Sequence, residues 1–176
     1  MRMNFLGNSD IKISEVCLGT MTFGQQNTKK EAYDQMDLAV DYGVNFFDTA
    51  EMYPFPSSPE KFGQTEEFIG TWIKNRGNRE KIIIASKIVG PSDRFKHVRD
   101  GELKFTKKHL TKAVEERLLR LKTDYIDLYQ THWPERVTNF FGKLGYKHEN
   151  NSSWTPFEEV LEGVAALVGS GKIRTF

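Results

Sequence analysis

The sequence has 176 residues, a formal net charge of +1, 38% hydrophobic residues and 28% charged residues. A chain of this length can bury one sizeable core, and we expect residues 1–176 to form a single domain. The near-neutral charge gives no reason to expect nucleic acid or a membrane surface as a partner. The sequence shows neither a signal peptide nor a run of about 20 apolar residues, so we expect a cytoplasmic location.

The first predicted elements are a hairpin and a short strand. Turn-forming residues 7–10 separate residues 3–6 from residues 11–14, as in a β-hairpin. A strand over residues 15–20 follows. It contains Cys17, the only cysteine, which excludes an internal disulfide. We interpret Cys17 as a buried small hydrophobe rather than a nucleophile.

Helices then alternate with strands. Thr28 and Glu31 have the spacing of a capping box at the start of a helix over residues 29–42. Thr65 and Thr106 are predicted to cap the second and third helices, and a fourth helix is expected over residues 155–168. The remaining strands are predicted at residues 45–48, 82–87, 125–132 and 172–176.

This order, a hairpin followed by four βα units and a fifth strand, predicts a parallel α/β fold with right-handed crossovers. A complete (β/α)8 barrel typically needs about 250 residues. We therefore predict a half barrel of the TIM-barrel type, truncated on its C-terminal side. Because a half barrel leaves strand edges unpaired, we expect the chain alone to self-associate through those edges or to fold poorly.

Three of the predicted strands end at residues that can carry chemistry. Asp48 ends the first of them and Tyr53 lies five residues later, while Lys87 and His132 end the next two. The C-terminal ends of barrel strands meet at one mouth, so these four side chains are expected to converge.

The four side chains suit the reduction of a carbonyl group. A phenol has an ordinary pKa of about 10, and a nearby ammonium such as Lys87 is expected to make the Tyr53 proton easier to give up. Asp48 would hold the ammonium, and His132 would orient the carbonyl oxygen that Tyr53 protonates. Since no side chain can donate a hydride, the reaction requires a nicotinamide cofactor.

Four motifs resemble those of the aldo-keto reductases in order and spacing: residues 18–24, 48–53, 85–87 and 128–134. Residues 140–146 resemble the Tas-like branch of that family. The resemblance implies a barrel whose bottom is plugged by the hairpin. It also implies reversible, NADP(H)-dependent reduction of small-molecule aldehydes or ketones, with a catalytic tetrad of Asp48, Tyr53, Lys87 and His132.

The resemblance also implies which residues approach the cofactor. They are Gly19, Thr20, Met21, Gln26 and Asp48. Family members continue beyond this sequence with a strand and loops that hold the carboxamide, the nicotinamide ring and the 2′-phosphate. We therefore expect the 176 residues alone to be inactive. No Gly-x-Gly-x-x-Gly fingerprint is present, and we predict no metal site.

Two loops allow alternative interpretations. Residues 90–105 contain five basic side chains and are interpreted as a solvated surface loop rather than an anion site; these are Arg94, Lys96, His97, Arg99 and Lys104. Residues 134–154, with Phe140, Phe141, Tyr146 and Trp154, either wall the substrate pocket above Trp133 or pack on themselves.

Structural roles compete with the catalytic ones. Asp48 can cap nearby amides, Lys87 can be a solvated strand end, His132 a packed histidine and Tyr53 a loop aromatic. The joint order of the motifs favours the catalytic interpretation. A second class of function remains open, namely a non-catalytic subunit that senses nicotinamide through the same fold.

Overall fold

The structure, a computed structural model, describes residues 1–136, 138–139, 141–142, 144–148 and 153–176. An antiparallel hairpin of β1 (Met3–Phe5) and β2 (Lys12–Ser14) begins the chain. The Asn45 side chain accepts a hydrogen bond from the Ser14 N–H (2.7 Å) and donates one to the Lys12 carbonyl (3.0 Å). Asn45 directly precedes the strand Phe46–Asp48, so the hairpin lies at the N-terminal end of that strand, as predicted.

Five parallel strands stand side by side, in chain order, in a second sheet. They are β3 (Cys17–Gly19), β4 (Phe46–Asp48), β5 (Ile83–Ile88), β6 (Ile126–Thr131) and β7 (Ile173–Thr175). A parallel sheet whose strands keep chain order belongs to a barrel rather than to a doubly wound fold. The predicted half barrel of four βα units and a fifth strand is confirmed.

Four α-helices connect these strands. They are α1 (Lys29–Asp41), α2 (Gln64–Arg76), α3 (Lys107–Leu121) and α4 (Phe157–Gly169). Short 3-10 helices occur at Arg79–Lys81, Asp93–Phe95 and Arg99–Gly101. Within the part of the chain that the structure describes, no helix has the length and apolar character needed to cross a membrane.

The predicted caps of α1 and α3 are confirmed. The Thr28 hydroxyl accepts from the Glu31 N–H (3.3 Å), and the Glu31 carboxylate accepts from the Thr28 N–H (2.8 Å), which completes a capping box. At α3, the Thr106 hydroxyl accepts from the His109 N–H (3.4 Å).

The predicted cap of α2 is wrong. Gly63, in a left-handed conformation (φ 80°), precedes the helix, and Thr65 lies inside its first turn. Thr65 is fully buried, and its hydroxyl donates to the Phe23 carbonyl (2.7 Å). The Thr65 hydroxyl therefore bonds α2 to the loop after β3 instead of capping the N-terminus of the helix.

One face of the sheet packs against the helices and forms the main core. Phe47 of β4 meets Trp72 of α2 with ring centroids 5.6 Å apart, and both side chains are buried. Burial of apolar surface at roughly 25 cal/mol per Å² makes this layer the main source of stability. Other buried members include Met36, Ile69, Ile84, Leu110, Val114, Leu121 and Ile126.

The opposite face of the sheet is exposed at its β3 edge, whereas Ala85 of β5 on the same face is buried. Cys17 pairs with Phe46 and, by strand alternation, lies on the face opposite Phe47. Cys17 is exposed, so the prediction that it is buried is wrong. Partial burial of the thiol and the nearby Asp48 carboxylate raise the pKa of Cys17 to about 11, so the thiol stays protonated and a poor nucleophile near neutral pH.

Candidate active site

The C-terminal edge of the sheet brings the predicted site residues together. Gly19 lies opposite Asp48 in the register of β3 and β4. Lys87 is the penultimate residue of β5, and His132 directly follows β6. The His132 N–H donates to the Ile88 carbonyl (2.9 Å), which extends the ladder by one more bond. The parallel strands thus deliver these side chains to one mouth, as expected.

Lys87 and Asp48 form an ion pair at this mouth. The Lys87 Nζ lies 2.7 Å from the Asp48 carboxylate and donates to the Thr49 carbonyl at 2.8 Å. The Lys87 side chain is 15% exposed and that of Asp48 is 31% exposed. The pair is therefore accessible from the open face, and the ammonium is held by a charged and a neutral acceptor together.

Tyr53 lies beside this ion pair. Its ring centroid is 5.4 Å from the Lys87 Nζ, and the side chain is largely buried. Burial and the negative charge of Asp48 raise the pKa of Tyr53 to about 12. Burial outweighs any acidifying effect of the Lys87 ammonium, whose own effect on the Tyr53 phenol stays a prediction. The phenol therefore keeps its proton throughout the neutral pH range.

His132 faces Tyr53 across the mouth. The two ring centroids lie 5.9 Å apart in an edge-to-face arrangement. Burial, Lys87 and Arg117 together lower the pKa of His132 to about 4, so the imidazole is neutral near pH 7. Its Nδ1 is buried and has no hydrogen-bond partner among the residues that the structure describes. A neutral imidazole can still orient a carbonyl oxygen by donating one hydrogen bond.

A large cavity opens at these residues. Its volume is about 1320 Å³, and Tyr53 and His132 both line it. The wall also contains apolar side chains from the four loops that follow β3, β4, β5 and β6, which are Met21, Met52, Phe55, Phe95, Phe141 and Trp154. A concave, mostly apolar cavity that meets a few polar groups is the usual form of a small-molecule site.

Trp133, which was predicted to lie in the substrate pocket, packs behind the cavity wall. It is buried, its indole Nε1 donates to the Pro91 carbonyl (3.1 Å), and its ring lies 5.0 Å from that of His132. Phe141 covers it edge-on at 5.4 Å and faces the cavity itself. Of the two interpretations of residues 134–154, the described ones favour a pocket wall, whereas Phe140 lies outside the described residues.

The residues predicted to approach a cofactor differ in placement. Gly19 is exposed beside Asp48, and Met21 lines the cavity. Thr20 is fully buried. Its N–H (3.1 Å) and its hydroxyl (2.8 Å) both donate to the Asp48 carbonyl. Gln26 lies on an exposed turn and is not part of the cavity wall. The structure thus brings Gly19, Thr20 and Met21 close to Asp48 and leaves Gln26 apart from them.

The interpretation of residues 90–105 as a solvated loop is wrong for Arg99. Its side chain is fully buried and forms an ion pair with Glu51 (3.1 Å), and its guanidinium donates to the Val89 carbonyl (2.6 Å). Arg94, Lys96 and Lys104 are exposed, in line with the prediction. The loop folds back because its apolar side chains Phe95, Val98, Leu103 and Phe105 are buried.

Arg99 belongs to a buried cluster of charges between the sheet and α2 and α3, which we call the rear cluster. Its members are Glu51, Glu66, Arg99, Arg117 and Arg120. Ion pairs of 2.8–3.3 Å connect them, and four of the five side chains are 0% exposed. Glu51 belongs to the same loop as Tyr53, so the cluster lies directly behind the mouth.

The rear cluster was not predicted, although the sequence of α3 carries a signal for it. The buried face of α3 runs through Leu110, Val114, Arg117 and Leu121, at spacings of four, three and four residues. Leu118, which has helical spacing with Val114, is only partly buried, whereas Arg117 is fully buried. An arginine on the apolar stripe of a helix indicates a buried partner of opposite charge.

Comparison with known proteins adds the family context. The family model described as "Aldo/keto reductase family" matches residues 15–176. The "Protein tas" of Escherichia coli (strain K12) is 44% identical over 175 residues, which cover 99% of this chain and 50% of that protein. A "Probable voltage-gated potassium channel subunit beta" of Arabidopsis thaliana is 34% identical over 144 residues, covering 78% and 39% of the two chains.

A solved structure gives the same picture. The aldo-keto reductase AKR11C1 from Bacillus halodurans, in its holo form, matches with a TM-score of 0.71 and 31% identity, over 99% of this chain and 48% of that one. The chain therefore spans about half the length of the curated relatives and of the solved structure that it matches.

Proposed function

Because the chain belongs to the aldo/keto reductase family, we propose that its residues carry out the NADP(H)-dependent reduction of aldehydes or ketones to alcohols. The observation that supports this most is the Lys87–Asp48 ion pair (2.7 Å) beside a protonated Tyr53, at the mouth of a large cavity. A proton donor, a fixed cation and an apolar pocket are the parts that protonation of a carbonyl oxygen needs.

The proposed roles follow from the protonation states. Tyr53 holds a proton on its phenol oxygen and gives it to the carbonyl oxygen. Lys87 stabilises the negative charge that Tyr53 gains, and Asp48 keeps the Lys87 ammonium in place. His132, neutral at working pH, donates a hydrogen bond that orients the substrate oxygen. The substrate class is a small-molecule carbonyl compound.

The open face beside Asp48 fits the nicotinamide end of the cofactor. At Gly19 no heavy atom lies within 4 Å of the position that a Cβ would take, so a flat ring can approach the backbone there. Bound in this place, a nicotinamide supplies the hydride that no side chain can provide. Met21 and Asp48 would border it, Thr20 supports Asp48 from behind, and a role for Gln26 would require its turn to approach.

The proposed function is tested by Tyr53→Phe in a form of the protein whose barrel is closed, either by further residues or by association. Loss of a general acid typically lowers turnover by about 10²–10⁴-fold, and NADPH oxidation with an aldehyde substrate measures it. Tyr42→Phe is the matched control, because Tyr42 is an exposed tyrosine on the C-terminal side of α1. Near-wild-type turnover of Tyr53→Phe would remove Tyr53 from the mechanism.

The alternative function is a nicotinamide-sensing subunit without turnover. The match to a channel β subunit is the observation that favours it. Fluorescence titration with NADPH separates the two. Binding of NADPH without reduction of any member of an aldehyde panel would support the sensor, whereas binding with reduction supports the enzyme.

The 176-residue chain alone is expected to be inactive and to self-associate. In the described residues, β3 and β7 each pair with a strand on one side only, and Cys17 and Gly19 of β3 are exposed. Light scattering after size-exclusion chromatography would show oligomers without NADPH turnover. A monomer that melts cooperatively and turns over NADPH would contradict this expectation.

A further inference from the structure

Arg117 is the member of the rear cluster that touches the reactive strand. Its side chain is fully buried on α3, and its guanidinium makes several directed contacts. Nη1 donates to the Tyr129 hydroxyl (2.7 Å), and Nη2 donates to the Lys87 carbonyl (2.5 Å). The guanidinium therefore joins α3 to the neighbouring strands β5 and β6. The Lys87 ammonium lies on the opposite face of β5.

The Lys87 carbonyl is also bonded from a second direction. The Glu51 N–H donates to it at 3.1 Å, and the Glu51 carboxylate accepts from the Val89 N–H at 2.8 Å. Glu51 is two residues before Tyr53 in the chain. The loop that carries Tyr53 is therefore attached at Lys87 and at Val89, just beyond the C-terminal end of β5.

Arg117 also forms ion pairs with two buried carboxylates. Its guanidinium lies 3.3 Å from the Glu51 carboxylate and 3.2 Å from the Glu66 carboxylate, and all three side chains are 0% exposed. These two contacts are ion pairs rather than hydrogen bonds, and loss of one partner would leave an uncompensated charge in a site that water does not reach. Few alternative arrangements of the Tyr53 loop can satisfy these groups together.

We propose that Arg117 is a positioning residue for the proposed carbonyl reduction. By holding the Glu51 carboxylate and the Lys87 carbonyl together, it fixes the loop that presents Tyr53 against the strand that presents Lys87. Its importance for turnover rests on the proposed function. The geometry that Arg117 fixes does not rest on the proposed function, and it can be measured without any reaction.

Arg117 also acts on the mouth through its charge. The charged and titratable groups around His132 are Lys87 on β5, Arg117 on α3, Tyr53 on the loop after β4, and Asp48 paired behind Lys87. After burial, the two cations lower the pKa of His132, and this keeps the imidazole neutral. Position and charge are thus two separable effects of one side chain.

The first experiment measures amide hydrogen exchange in the whole chain, with Arg117→Lys beside the wild type. Lysine keeps the charge but loses the fork, so the Glu51 and Val89 amides should exchange about 10–100-fold faster. Arg120→Lys is the matched control, because Arg120 is on the same helix and pairs with Glu66 (2.8 Å). It should leave both amides unchanged relative to the Ile126 amide, which bonds to Lys172 in another part of the sheet.

The second experiment titrates His132 by NMR. Arg117→Met removes the charge, so the pKa of His132 should rise from about 4 by a small amount, because burial and Lys87 are the larger causes and remain, whereas Arg117→Lys should leave it unchanged. Tyr129→Phe removes only the hydroxyl that Arg117 bonds, and it provides a milder variant if Arg117→Met does not fold. It should speed exchange at Glu51 and Val89 without moving the His132 titration.

Turnover in a closed-barrel form completes the test. Arg117→Lys should lower kcat about 10–100-fold with little change in KM, because misplacement of reacting groups slows chemistry rather than binding. A uniform rise in exchange at all amides, including Ile126, would show a merely structural role and overturn the proposal. Selective exchange at Glu51 and Val89 in a protein that reduces no carbonyl would overturn the proposed function and leave the positioning geometry standing.

Discussion

Two clusters of charge lie on opposite faces of β5 and differ in their access to solvent. At the mouth, Lys87 and Asp48 keep side-chain exposures of 15% and 31%. In the rear cluster, Glu51 and Arg117 are 0% exposed, although the same strand separates the two sites. The comparison teaches that an accessible ion pair can serve a reaction, whereas a fully desolvated one holds backbone segments together.

Removal of a rear carboxylate should have the largest effect on stability. Glu51→Ala leaves Arg99 and Arg117 without their shared partner in a dry interior, which should cost about 3–5 kcal/mol of unfolding free energy. Denaturant unfolding measures this loss. As a control, Glu115→Ala breaks the exposed pair with Lys172 and should change stability little. Equal losses in the two variants would remove the distinction between buried and exposed pairs.

Removal of the mouth cation should affect activity more than stability. Lys87→Met leaves an Asp48 whose side chain is 31% exposed and can be solvated, so the free energy of unfolding should change by only about 1 kcal/mol. Turnover in a closed-barrel form should fall about 100-fold or more, because the phenolate that Tyr53 becomes loses its cation. Lys30→Met on α1, whose partner is Asp34, serves as the control and should leave turnover unchanged. A large loss of stability with normal turnover would reverse the assignment of the two clusters.

A third change tests the packing beside the mouth. A Cβ at Gly90 would lie 2.6 Å from Nε1 of Trp133, so Gly90→Ala must displace the indole that packs on His132. Overpacking of this kind costs about 1–3 kcal/mol, measured by thermal or denaturant unfolding. Gly169→Ala is the control, because no heavy atom lies within 4 Å of its added methyl group. A Gly90→Ala variant as stable as Gly169→Ala would contradict the close packing of the Trp133 indole against Gly90.

The smallest predicted effect is a pH dependence from His132. Its pKa is about 4 in the folded chain and about 6.5 when unfolded, so the unfolded state binds the proton more tightly. This contribution to stability is complete above pH 6.5 and is lost as the pH falls toward 4. With allowance for partial exposure, the loss between pH 7 and pH 5 is about 1 kcal/mol. The difference between wild type and His132→Gln in urea unfolding isolates it, and parallel curves would contradict the buried, neutral state.

Much of the fold follows from local patterns. The capping box of Thr28 and Glu31 and the cap at Thr106 were predictable, because they depend on neighbours three residues away. Alternation within strands placed Asp48 and Lys87 on one face. The cap at Thr65 was not predictable in this way, because a tertiary contact with Phe23 takes its hydroxyl.

The site was predictable in its members but not in its protonation. The motif order correctly brought Asp48, Tyr53, Lys87 and His132 to one edge of the sheet. Whether each acts in catalysis stays a prediction. The raised pKa of Tyr53 could not be predicted, because it comes from burial of the phenol and from the nearby Asp48 charge, while the effect of Lys87 stays a prediction. These quantities arise only when the side chains are packed.

The sequence by itself determined the order of the elements, the parallel half barrel and the residues at its mouth, because these depend on periodicity and short-range spacing. Only the tertiary structure decided that Arg99 and Arg117 are buried, that Glu51 joins them and that Cys17 is exposed. The physical reason is that burial and charge pairing depend on distances between residues far apart in the chain. Glu51 and Arg117, for example, lie 66 positions apart yet 3.3 Å from each other.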